Sequence, residues 1–181
     1  MTDDFDADAW RRELKTQRDR KDRFFAEHRQ SPVPPEERDD FDGLDYFDPD
    51  SDYRVAATVH GGDPEPVTMD TTAGTEVRYL RELTLSFEVS GEDRELAAYR
   101  QEGDDQYFVP FRDETTGQRT YEGGRYMEFE TERDLSDGDE IALDLNLAYS
   151  PFCAYNETFA CPLPPEENWL DVAVAAGEKA P

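Results

Sequence analysis

The sequence predicts a mainly β protein, an antiparallel sandwich or partly open barrel with an N-terminal α-helix. Two observations carry this expectation. From Tyr53 onward, β-branched and aromatic residues alternate with polar ones in short runs, cut by Gly-, Asp- and Ser-containing turns at a spacing of about ten residues. Before Pro32 the apolar spacing is helical instead. At 181 residues the chain suits one domain with a tail, and chains near this size bury roughly 70% of their unfolded surface. The expected division is a helical arm over 1–30 and a single β-rich domain over 31–181.

The helix comes first, with Asp6 or Asp8 as N-cap, Trp10, Leu14, Phe24 and Phe25 near heptad spacing, and Pro32 as the stop. The eight acids and eight bases of residues 1–30 cancel. It therefore reads as an arm lying on the acidic body of its own protein or of a partner chain, and a homo-oligomer formed through this helix is one expectation. The segment SPVPPEERDDFDGLDYFDPD follows, punctuated by Pro and Asp, with Phe41, Leu44, Tyr46 and Phe47 as anchors.

Strands are then expected at YRVAATVH, VRYLRELTLSFEVS, RELAAYRQ, QYFVPFRD, TYEGGRYMEFE and EIALDLNLAY. Turns are expected at Gly61-Gly62, Gly91-Glu92, Gly103-Asp104 and Asp137-Gly138. A last strand, LDVAVAAG, follows a long loop rich in Pro and aromatic residues.

Composition bounds function. The formal charge is −26, from 45 acidic against 19 basic residues, of which sixteen are Arg and three Lys. Carboxylates spread along most of the chain are typical of proteins adapted to concentrated salt. At molar ionic strength the Debye length falls to about 3 Å, which removes most self-repulsion. Nucleic-acid binding is disfavoured by this charge. No stretch of about 18 apolar residues marks a membrane span, and the N-terminus shows no basic start with an apolar run, so the cytoplasm is the expected location.

Residues able to carry chemistry are few. The two histidines, His28 and His60, are remote in sequence from the Pro-rich loop, which disfavours a His-dependent triad there. Cys153 and Cys161 are eight residues apart and lack a local His. They fall short of a zinc site and are expected to be buried thiols, with a disulfide next, so no metal site is expected.

In IALDLNLAY the alternation puts Ile141, Leu143, Leu145 and Leu147 toward the core and Asp144 and Asn146 on the opposite, Ala-flanked face. That face either meets water or floors a pocket. Gly123-Gly124 beside Arg125 suggests a bulge or a close backbone approach that aims the arginine. Arg125 then either pairs with Asp144 across a hairpin or holds a ligand carboxylate or phosphate.

These segments also carry a resemblance. FRDETTGQRTYEGGRY, LDLNLAYSPFCAYNETFACPLPPEENWL and VAAGEK, with FDGLDYF and YFVPF upstream, occur in the order typical of an uncharacterised prokaryotic family, the domain of unknown function 1684. The resemblance covers nearly all of the chain after residue 30. It implies no established activity. Where the family tends to have Phe and Asn, this chain has Leu145 and Ser150.

The leading functional expectation is a small polar or anionic ligand bound by Arg125, Tyr126, Asp144, Asn146 and Tyr155 under the Pro-rich loop. The alternatives are a hydrolase-like enzyme using Asp113, Asp144 or Glu178 as general base, and a structural or oligomer-forming protein without a ligand. No specific cofactor is implied.

Overall fold

The computed structural model describes residues 5–181. Helix α1 (Ala7–Glu27) is capped by Asp6, whose carboxylate accepts the Asp8 and Ala9 amides, and it ends at His28, ahead of Pro32. Six strands follow: β1 (Arg54–Asp70), β2 (Glu76–Val89), β3 (Glu92–Arg100), β4 (Gln106–Phe111), β5 (Arg125–Glu130) and β6 (Glu140–Asp144). They form one antiparallel sheet in the order β5-β4-β3-β2-β1-β6, curled into a half-barrel. Of the two expected forms, the partly open barrel is the one adopted.

The curl brings its own edges together. After β6 the chain makes a 3-10 turn at Leu145–Leu147, and Tyr149 then pairs with Tyr126 of β5 through reciprocal backbone hydrogen bonds of 2.8 and 3.0 Å. Consecutive residues thus serve both edges of the sheet. The 3-10 turn also ends the alternation expected for IALDLNLAY. Leu143 and Leu145 are buried while Leu147 is 45% exposed.

Three expectations are corrected. Gly61-Gly62 makes no turn. Both residues lie inside the 17-residue β1, whose register against β2 shifts between Gly61 and Glu65, as a bulge does. β5 and β6 form no hairpin, because β6 pairs with β1, placing Arg54 and not Arg125 opposite Asp144. And LDVAVAAG is no strand: it alternates as expected, with Leu170, Val172, Val174 and Ala176 buried in the main core, but its backbone is held by scattered backbone bonds at Leu170, Val172 and Gly177 and by side chains at Val174 and Ala176, not by a ladder.

Arg125 is the principal tie. Its guanidinium, 1% exposed, donates to the carbonyls of Val174 (2.9 Å), Ala176 and Glu178 (3.3 Å). Asp113, 3.6 Å from Arg125, accepts the Val174 amide at 2.6 Å and the Thr115 hydroxyl. The expected close approach at Gly124 is what admits this arginine. Gly124 has φ +90°, and a Cβ there would meet the Phe111 carbonyl oxygen at 2.7 Å, which no L side chain tolerates.

Asn168 does the same between β3 and β4, which share a single register pair. Its fully buried amide accepts from the Ala97 N–H (2.7 Å) and donates to the carbonyls of Ala97 (2.9 Å) and Pro110 (2.8 Å). One side chain here stands in for missing ladder bonds.

Candidate functional site

Helix α1 lies on this body through Leu14 and Phe25, both buried. Phe25 rather than Phe24 is the deeper anchor, packing edge-on against Tyr155 at 5.0 Å between centroids. Between the two anchors, the same face carries Gln17, Arg18 and Lys21. With Leu14 they stand at i, i+3, i+4 and i+7, the positions at which a docked helix normally presents apolar residues. Beneath them is a cavity of about 270 Å³, closed on the body side by Tyr46, Asn146, Tyr149 and Glu178.

The walls are fixed from outside. Asp144 caps the 3-10 turn, accepting the Asn146 amide, and takes the indole N–H of Trp10 at 2.7 Å. Asn146, 2% exposed, exchanges two hydrogen bonds with the backbone of Asp50. Glu178 is fully enclosed and is held by Lys21 at 2.6 Å and by the Tyr155 hydroxyl. Burial pushes its carboxyl above the ordinary range, and Lys21 opposes that shift.

Arg18 is different. It donates once, from Nη1 to the Phe47 carbonyl at 3.0 Å, and stacks over the Tyr46 ring at 4.4 Å. Its Nε and Nη2 are enclosed yet find no hydrogen-bond partner among the described residues, and the same holds for the Tyr46 hydroxyl. Burial lowers the Arg18 pKa and raises that of Tyr46. Unpaired buried polar atoms each cost about 1–3 kcal/mol, and more when charged. Nε and Nη2 form one edge of the guanidinium fork, the geometry that grips a carboxylate or phosphate with two parallel bonds.

The residues read from the sequence are dispersed around this cavity. Asn146 lines it, while Asp144 and Tyr155 brace its walls. Tyr126 lies on the far side of Tyr149, lining a separate aromatic cavity. Arg125 is in the core, lining neither, and does not touch Asp144. The carboxylates considered as bases are each engaged: Asp113 with Arg125 and Val174, Asp144 with Trp10 and Asn146, Glu178 with Lys21 and Tyr155. Among the described residues, no group of three or more His, Cys, Asp or Glu side chains is arranged to hold a metal ion. His60 contacts Ser86 at an exposed position on the sheet, and His28 stacks on Phe24.

Comparison with known families is decisive for kinship. The model of the family described as "Protein of unknown function (DUF1684)" matches residues 39–179. The chain belongs to this family. DUF1684 thus covers the sheet, the loop and the C-terminal segment, whereas α1, which supplies Arg18 and Lys21, precedes the matched region. A solved structure, that of the uncharacterized protein from gene locus rrnAC0354 of Haloarcula marismortui, is 64% identical over 95% of both chains with a TM-score of 0.76. Curated proteins give no match.

Cys153 and Cys161 are free and buried, as expected of structural thiols. The Tyr121 hydroxyl donates to Cys153 Sγ at 3.5 Å; the neighbouring Cys161 lowers the Cys153 pKa, while its own is raised. Arg18, Lys21 and Tyr46 were missed as site residues. For Arg18 and Lys21 the signal was present as cations at core-facing helical positions, but it was masked by the acids interleaved along residues 1–30.

Proposed function

We propose that this DUF1684 member is a binding module for a small anion, a carboxylate or phosphate, seated between α1 and the 3-10 turn at Leu145–Leu147. The carrying observation is the enclosed, unpartnered Nε–Nη2 edge of Arg18 in the same cavity as the unpartnered Tyr46 hydroxyl. Lys21, itself paired with Glu178, adds positive charge beside the Arg18 edge. Further support comes from the contrast with the rest of the chain: in a protein of formal charge −26, this cavity has two cations over one buried carboxylate. The acidic surface fits a cytoplasm rich in salt, where screening tolerates that charge.

The test is a titration with inorganic phosphate and with acetate at fixed ionic strength in potassium chloride, following by NMR the backbone amide signals of Tyr46 and Asn146, which line the cavity in both the wild type and the variant. Saturable shifts with either anion, lost in Arg18→Gln, are expected. Equal responses in the wild type and Arg18→Gln would discard the assignment.

A further inference from the structure

On the outer face of the sheet a second cavity, of about 350 Å³, lies between β2, β4, β5 and the Pro-rich loop. Its size is within the range of about 300–1,000 Å³ used by small ligands. Phe108 and Tyr126 meet at 81° with centroids 4.7 Å apart, and Tyr126 and Tyr149 at 86° and 5.9 Å. Tyr79 extends the Phe108 wall, stacked at 5.4 Å. Rings set at right angles to their neighbours form a box whose walls can present the negative faces of their π-systems to one occupant.

Strand register explains how the box is built. Phe108 of β4 stands opposite Glu128 of β5 and Pro110 opposite Tyr126, so Tyr126 and Glu128, two residues apart, share one face. The hydroxyls are tied back, Tyr126 to the Pro162 carbonyl and Tyr149 to Glu128. That fixes the rings and occupies their hydroxyl protons. At the rim are the carboxylates of Glu128 and Asp104. Both act on Tyr79, whose pKa is raised by burial first and then by these two charges.

We propose that this cavity is an aromatic cage for a small, freely diffusing methylated ammonium compound, with the rings contacting the methyl groups and Glu128 and Asp104 balancing the charge. An alkylated ammonium suits it because it offers a diffuse positive charge without N–H donors, and the box walls provide faces instead of acceptors. A neutral apolar ligand would gain the rings but not the carboxylates. This cavity is distinct from the anion cavity but shares one wall with it, the Tyr149 side chain, over whose ring Lys21 sits at 4.7 Å.

The experiment uses the full chain in potassium chloride of fixed ionic strength. Choline chloride and 3,3-dimethylbutanol, the uncharged carbon isostere of choline, are each titrated while the aromatic resonances of Tyr79, Phe108 and Tyr126 are followed. Saturable shifts with choline are expected, with at least tenfold weaker binding of the isostere. Glu128→Gln and Tyr79→Leu, both at solvent-accessible positions, should each weaken choline at least fivefold. Arg18→Gln should leave it unchanged. Absence of saturable choline binding, equal affinity for the isostere, or full affinity in folded Tyr79→Leu would each overturn the cage.

Discussion

Arg125 and Arg18 both carry enclosed guanidinium nitrogens, and they are used in opposite ways. Arg125 spends its guanidinium on three backbone carbonyls and on Asp113, leaving Nε alone without a partner. Arg18 makes one backbone bond and leaves two nitrogens unpaired. The first is a fastener for a segment that lacks strand partners. The second is a charge whose desolvation is only partly compensated by the protein, which is the condition under which an incoming anion gains most. Burial alone therefore does not distinguish the two arginines; the state of their donors does.

That contrast can be broken by substitution. Arg125→Ala leaves Asp113 unpaired and three carbonyls without donors, and should cost about 3–5 kcal/mol of unfolding free energy, much of the stability of a domain this size. Denaturant titration in molar potassium chloride measures it. A loss below about 1 kcal/mol would remove Arg125 from its role as fastener. Asn168→Ala, which strands the backbone groups of Ala97 and Pro110, should cost about 3 kcal/mol in the same assay. Arg18→Gln should change stability by less than about 1 kcal/mol while abolishing the phosphate and acetate response. A large stability loss there would make the two arginines alike.

The smallest expected effect is a pH slope. Glu178 has a folded pKa raised above its unfolded value of about 4.3. Its contribution is fully present below the unfolded value and is lost as pH rises through the raised one. The stability of the wild type relative to Glu178→Gln should accordingly increase as pH is lowered from neutral toward that range. Thermal melts of both proteins in molar salt would show it, and parallel curves would mean that Lys21 fully offsets the burial.

Much of the sheet could be read from the sequence because period-two alternation is local. β2 through β4 lie where the runs of Val, Leu, Phe and Tyr place them. Gly61-Gly62 misled because a glycine pair serves a bulge as readily as a turn, and the choice is made by the partner strand. LDVAVAAG alternates like a strand, yet no property of its own residues reveals that Arg125 and Asp113, about fifty and sixty positions earlier, occupy its backbone. The pairing of β6 with β1 and of Tyr149 with Tyr126 is equally non-local. The candidate site shared this difficulty: Asn146, Asp144 and Tyr155 were visible by composition, but Arg18 and Tyr46 come together only when α1 docks.

The way residues 170–179 are held has a consequence for biosynthesis. Leu170, Val172, Val174 and Ala176 fill the concave side of the half-barrel, so a nascent chain that has paired all six strands still exposes that surface to water. Translation must deliver the segment past Glu178 before Arg125 can close on its carbonyls. Native-like packing is thus expected to be completed late, once this segment has been delivered. Pulse proteolysis of a chain ended after Trp169 would show the paired strands cut rapidly, and resistance equal to that of the full chain would refute this order of events.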